Sequence, residues 1–301
     1  MTKVQKITNH KSIFSKNPYF CSIMKNTKKV ILITGGSSGI GYDSAIALAK
    51  QGHKVYAAAR RVEMMEPLKE YGIVPLSLDV TDDSSMQECV KSVLDAEGRI
   101  DVLVNNAGYG YFGAIENVAM EEARKQLEVN VFGLARMCQL VLPTMRGQHS
   151  GRIINIASIA GRATMYFGGW YNVSKYAVET FSDALRMETK PFGIDVVLIE
   201  PSTIKTNWGI IAADNLEASS KGTVYEERAI NEANNMHKAY RSNLFSKPTV
   251  VTKAICKAVN RRRPRTRYCI GRGGKMVVFM HSVLPTRWWD RINRIMTKKV
   301  L

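Results

Sequence analysis

Four consecutive apolar residues, Val30-Ile31-Leu32-Ile33, run straight into the octet TGGSSGIG (34–41) and then into YDSAIALAKQG. A strand that is apolar at successive positions has no solvent face, so it belongs in a sheet covered on both sides. The segment after the octet repeats with a helical period and closes at Gly52, a residue suited to end a helix. The alternation then continues. HKVYAAARR, IVPLSLDV, DVLVNNAG, GRIINIAS and IDVVLIEP read as five more strands, with helical segments around 84–97, 119–146 and 170–190. Short apolar strands separated by helices predict an α/β fold, a doubly wound parallel sheet with helices on both faces. No repeat, low-complexity stretch or linker divides the pattern, so a single domain is expected.

Charge separates the two ends from the middle. The chain has 301 residues and a formal net charge of +17. Residues 1–29 hold seven Lys and no acid, and residues 256–301 hold thirteen Lys or Arg and one acid, Asp290. The stretch between them is close to neutral. No reading motif accompanies the excess, so nucleic acid is not an expected partner. Residues 1–28 form a basic extension that lacks the apolar core of a secretory signal and is expected to be disordered. No uninterrupted apolar run approaches the ~20 residues of a membrane span. The five cysteines, Cys21, Cys89, Cys138, Cys256 and Cys269, are scattered. They predict a reducing compartment, a cytoplasmic location and no metal site.

The octet predicts a ligand. Gly35, Gly39 and Gly41 stand between a strand and a helix, where a tight turn lets backbone N–H groups and the helix dipole meet a pyrophosphate. Ser37, Ser38 and Ile40 belong to the same turn. This makes the fold Rossmann-type. About twenty residues on, the second strand ends at Arg60-Arg61. An acidic residue there would suit the ribose hydroxyl of NAD, whereas Arg60 suits a 2′-phosphate. NADP(H) is therefore the preferred cofactor, with NAD(H) the alternative.

A second motif is YNVSK (171–175). Tyr171 and Lys175 are four apart and share a helix face, where a cation would lower the pKa of a phenol from its usual ~10. Taken alone the pair also fits a half-buried helix with a solvated lysine.

Four motifs in order, TGGSSGIG (34–41), NNAG (105–108), Ser158 closing the fifth strand and YNVSK (171–175), resemble the short-chain dehydrogenase/reductase family over about residues 29–208. The resemblance implies that Tyr171 is the general acid/base. Lys175 would lower its pKa and hold the nicotinamide ribose, and Ser158 would hydrogen-bond the substrate oxygen. Asn130 would support a water linked to the lysine. Asp79 and Val80 would line the adenine pocket. Asn106, Ala107 and Gly108 would line the cofactor site, and Pro201, Ile204 and Thr206 would grip the carboxamide. One departure is visible, because Ser202 stands where the family usually has glycine. Such relatives pair through the helices holding Asn130 and Tyr171, which implies a homodimer or homotetramer.

The substrate is less constrained. A domain over 29–275 is expected to carry a small helical substrate lobe at about 207–246, rich in apolar and aromatic residues such as Trp208, Leu216, Tyr240 and Leu244. With YGYFGAI (109–115) and GRATMYFGGW (161–170), this set suits a lipophilic small molecule, or else simply packs the lobe. RYCIG resembles a seventh strand. The basic amphipathic extension after it (276–301) resembles the hydroxysteroid and retinol dehydrogenase branch. The expected activity is interconversion of an alcohol with a ketone or aldehyde on a bulky, steroid-like substrate. The extension is expected to cover the pocket or pack on a neighbouring subunit rather than lie on a membrane. The rival readings are a ketoacyl reductase acting on an acyl carrier protein and, in another class, a non-catalytic dinucleotide sensor or scaffold.

Overall fold

A computed structural model describes residues 28–242 and 245–299. The expectation for the N-terminal extension falls almost wholly outside them. The first strand, β1 (Val30–Thr34), leads through the glycine turn into α1 (Gly39–Ala49). Then come β2 (Lys54–Ala59), a 3-10 stretch (Val62–Tyr71), β3 (Val74–Ser77), α2 (Asp83–Glu97) and β4 (Val102–Asn105). The helical run expected at 119–146 is two helices, α3 (Met120–Leu127) and α4 (Leu134–Gly147), joined by a π-helical segment, Glu128–Gly133. β5 (Gly151–Ile156), α5 (Gly169–Thr189) and β6 (Ile194–Pro201) follow. α6 (Asn207–Ser220) and α7 (Glu226–Arg241) occupy the segment expected to form the lobe. The chain then runs through α8 (Thr249–Asn260), β7 (Arg267–Ile270), α9 (Gly274–Val283) and α10 (Thr286–Lys299).

The seven strands form one parallel sheet in the order β3-β2-β1-β4-β5-β6-β7. The order reverses at β1, so ligand-binding turns gather at the carboxyl ends of β1 and β4. The apolar run of β1 explains why both faces are covered. Val30 and Leu32 enter one core with Val90, Met137, Val141 and Val178. Ile31 and Ile33 enter the other with Leu48, Met65 and Ile255. Burial of each such side chain stabilises the fold by about 1.5–3 kcal/mol. A third, smaller core joins α6 and α7 to Phe112, Ala160 and Tyr171. The lobe therefore packs directly on the residues expected to do chemistry.

Candidate active site

The turn after β1 is shaped for an anion. Gly35 and Gly39 have φ of +68° and +56°, and a Cβ on Gly41 would stand 2.3 Å from the Gly35 carbonyl oxygen. Alanine at these positions would be strained or would clash. α1 begins after Ser38 in extended backbone, and no side chain caps its first turn. Uncapped N–H groups at a helix N-terminus, in a cradle that a side chain would fill, fit the diphosphate of a dinucleotide. The loop after β4 braces this cradle. The Asn106 Nδ2 donates to the carbonyls of Thr34 and Gly35, and the Thr34 Oγ1 accepts from the N–H groups of Asn106 and Ala107. Thr206 faces the same turn, its methyl 4.0 Å from where a Gly39 Cβ would lie.

Arg60 is exposed at the carboxyl end of β2. Asp79 is half-buried nearby. Burial works to raise its carboxyl, but hydrogen bonds from the Thr81 N–H and hydroxyl, with the Arg60 charge, hold it below its ordinary range. Val80 is buried against the backbone of Gly133 in the π segment.

The fifth strand delivers Ser158 and α5 delivers Tyr171 and Lys175. The Ser158 Oγ accepts from the Ala160 N–H at 3.1 Å, and it hydrogen-bonds the Tyr171 phenol. The Lys175 Nζ donates to the Ile156 carbonyl at 2.9 Å and lies 5.8 Å from the centroid of the Tyr171 ring. Both residues are buried. Burial pushes the phenol above its ordinary range, with the Ser158 hydrogen bond pulling it down and Tyr240 pushing it further up. Burial also lowers Lys175 to about 8, against the charge of Glu179. The net effect on the phenol is opposite in sign to what the four-residue spacing suggests. The spacing brings the ammonium beside the ring, but burial is the largest influence on the phenol and raises it.

Asn130 sits in the π segment, where a widened turn often marks a functional site. Its Oδ1 accepts from the Tyr109 N–H, and its Nδ2 donates to the Tyr109 carbonyl and to the Ser174 Oγ. The backbone of Gly108 lies against both Asn130 and Lys175. Asn130, Ser158, Tyr171 and Lys175 thus converge from three separate parts of the chain, the π segment, the end of the fifth strand and α5.

Ser202 fits without strain. It is not among the described residues with positive φ, which are His149 and Phe167 besides the glycines. Its Oγ donates to the Arg272 carbonyl at 3.1 Å, and its Cβ packs against Gly271 and Gly274. Pro201 ends β6, and Ile204 is bridged to Ser246.

Aromatic rings surround the Tyr171 phenol. Trp208 lies 4.9 Å from it and Phe112 5.9 Å from it, and these two meet edge to face at 5.8 Å. Trp208 rests on the backbone of Gly110, and Tyr240 rests on Gly209. The other apolar residues of the lobe segment divide. Leu216 is core, Ile210 and Ile211 are exposed, and Leu244 lies outside the described residues.

Two groups were missed by sequence reasoning. The Asn172 Nδ2 donates to the carbonyls of Ala160 and Ala163, and its Oδ1 accepts from the Met165 N–H. It fixes the loop that follows Ser158. An asparagine one residue after the tyrosine was the available signal. Glu179, one further turn along from Lys175, is buried and bonded to Arg267 and Glu200. Only the four-residue step from Lys175 could have pointed to it.

Comparison with known proteins agrees with this geometry. Residues 29–215 match the sequence profile of the family described as short chain dehydrogenase. A 3-ketodihydrosphingosine reductase of Bacteroides thetaiotaomicron is 38% identical, over 81% of this chain and 88% of that protein. The chain belongs to the short-chain dehydrogenase/reductase family. Estradiol 17-beta-dehydrogenase 1 of Rattus norvegicus is 35% identical over 79% of this chain and 72% of its own. The crystal structure of a short-chain dehydrogenase from Streptomyces avermitilis superposes with a TM-score of 0.75 at 32% identity, covering 90% of this chain and 98% of that one. A serine dehydrogenase complexed with NADP+ (TM-score 0.70, 26% identical, 80% of this chain and 94% of that one) and a family member from Burkholderia phymatum in complex with NAD (0.69, 26%, 80% and 88%) share the fold. This member of the family is thus an oxidoreductase that uses a nicotinamide dinucleotide. Among the described residues no cluster of His, Cys, Asp or Glu could hold a metal ion. No described helix is long and apolar enough to cross a membrane.

Proposed function

We propose that the protein is an NADP(H)-dependent oxidoreductase that interconverts a secondary alcohol and a ketone, or a primary alcohol and an aldehyde, on a bulky lipophilic substrate. Residues 29–275 form the catalytic domain in this reading, and the helices of residues 207–246 cover the substrate. The observation that carries it is Tyr171: a buried phenol hydrogen-bonded to Ser158, with Lys175 beside it and aromatic rings around it.

The glycine turn and the first turn of α1 would hold the diphosphate, with Arg60 at the 2′-phosphate, Asp79 and Val80 at the adenine, and Pro201, Ile204 and Thr206 at the carboxamide. Bound there, the nicotinamide supplies or accepts hydride. Negative charge builds on the substrate oxygen as the carbonyl is reduced. Ser158 and Tyr171 donate hydrogen bonds to that oxygen, and Tyr171 transfers its proton. A phenol held high by burial is a poor proton donor until a cation offsets the loss of solvation. Lys175 is the cation at hand, and charge on the bound dinucleotide would favour its protonated form. Asn130 positions the loop at Tyr109 and the Ser174 hydroxyl that flank this pair. Trp208, Phe112 and Tyr240 leave an apolar and aromatic surround, which suits a lipophilic substrate better than a sugar or an amino acid.

The named relatives support the substrate class, since a ketosphingoid reductase and an estradiol dehydrogenase both take their names from bulky lipophilic molecules. Exposed Phe132, Val173 and Tyr176 on the π segment and α5 support pairing of two copies through those helices. The test is Tyr171→Phe. Turnover should fall by about 10²–10⁴-fold, the usual worth of a general acid/base. NADPH should still bind, as read by the fluorescence of the bound cofactor. Near-normal turnover would refute the assignment.

A further inference from the structure

The basic C-terminal region forms a surface that the reaction does not use. α9 leaves the sheet edge after β7 and exposes Met276, Phe279 and Val283, which are 62%, 65% and 57% accessible. Their spacing of three and then four residues puts them on one helix face. Between α8, β7 and α9 lies a cavity of about 680 Å³, with Lys253, Lys257, Arg265 and Lys275 on its walls and Phe279 among its lining residues. Among the described residues, none of these four cations has a carboxylate within ion-pairing distance. Two further lining residues, Arg162 and Arg267, are held by Glu200, Glu179 and Asp183. α10 is fastened by Trp289, which is buried and meets the His281 ring edge-on at 5.1 Å. Its neighbour Trp288 is 66% accessible, with exposed Arg287 beside it in sequence and exposed Arg291 three residues on.

Apolar side chains in contact with water, bordered by unpaired cations, need a partner that is apolar and anionic together. A second copy of this chain meeting the same face across a two-fold axis would bring the cations together, so self-pairing is disfavoured there. An exposed tryptophan and an aliphatic and aromatic stripe among Lys and Arg match the boundary between lipid headgroups and acyl chains. We propose that the face formed by α8, β7 and α9, with α10 beside it, docks on an anionic lipid surface. The four cations meet headgroup phosphates, and Met276, Phe279, Val283 and Trp288 enter the acyl boundary. This assigns the extension a partner other than the substrate pocket or a neighbouring subunit. It does not depend on the chemistry at Tyr171.

The experiment is co-sedimentation of the full chain with vesicles of phosphatidylcholine, alone or with about a third phosphatidylglycerol. Binding to the anionic vesicles should exceed binding to the neutral ones by about tenfold or more and weaken as salt is raised. Lys253→Glu with Lys257→Glu should reduce it by at least about tenfold, and Phe279→Glu by a similar factor. Circular dichroism and NADPH binding by the variants should match the parent, which separates loss of docking from loss of folding. The proposal is overturned if vesicles are not bound, if neutral and anionic vesicles bind alike, or if the variants bind as the parent does. It is also overturned if Phe279→Glu instead breaks a dimer seen by sedimentation velocity in a parent that ignores vesicles. Capture of an acidic soluble polypeptide without vesicle binding would equally refute it.

Discussion

At the scale of single residues, the site is built from side chains whose positions are decided by burial. Lys175 spends a hydrogen bond on the Ile156 carbonyl and is drawn down to about 8 by desolvation. Tyr171 is pushed up for the same reason. Such a pair is sensitive to any added charge. Arg60 is the residue that would distinguish the two cofactors, because it is exposed at the end of β2 with a field that reaches Asp79. A charge-assisted bond to a 2′-phosphate is worth about 1.5–3 kcal/mol. Arg60→Asp should therefore weaken NADPH about 10–100-fold and change NADH by less than about threefold, measured by titrating each cofactor. Equal losses for both would remove the argument for NADP(H). The individual residues of YNVSK were legible because the motif is local. The direction of the Tyr171 shift was not, since it depends on how far the aromatic wall seals the phenol from water.

At the scale of elements, α5 does more than carry Tyr171. Its later turns present Glu179 and Asp183 to Arg267 of β7, and Glu179 shares a hydrogen bond with Glu200 of β6. Burial raises Glu179 to about 7, with Glu200 adding to the rise and Arg267 and Arg162 opposing it. Glu200 is raised too, chiefly by burial. The folded protein then holds protons that the unfolded chain releases once pH passes the ordinary carboxyl range near 4.5. Stability should accordingly fall as pH rises from that value towards 7. Glu179→Gln removes one ionisation while keeping the shape. Its melting temperature should fall less between pH 5 and pH 8 than that of the parent, in thermal denaturation at both pH values. Parallel losses would mean that Glu179 does not carry the dependence. This carboxyl pair was invisible in the sequence because its members lie on separate elements, 21 residues apart. The π segment was hidden for a related reason, since a helical period of 3.6 tolerates one widened turn. Asn172 was passed over because its three bonds reach a loop whose path no local signal predicts.

At the scale of the whole molecule, the single parallel sheet was legible from apolar runs that cannot face water, whereas the order of its strands came from the structure. The two cores on either side of β1 follow from that pattern. The charge map was legible as well, but its meaning was not. The sequence places cations near the C-terminus, while only the packing of α8, β7 and α9 shows that four without a carboxylate partner among the described residues border one cavity beside an exposed apolar stripe. The third core explains how the lobe and the chemistry are joined, because Tyr171 packs with α6 and α7 rather than standing apart from them. Substrate class should therefore be set by the lobe, whose Trp208 lies 4.9 Å from the Tyr171 ring. The most direct test is to follow oxidation of NADPH and of NADH by the purified full chain, against a panel of steroid, sphingoid, retinoid and short acyl carbonyl compounds. The account predicts turnover of a bulky lipophilic carbonyl with NADPH preferred. Turnover confined to acyl thioesters, or tight dinucleotide binding with no turnover of any carbonyl, would contradict it.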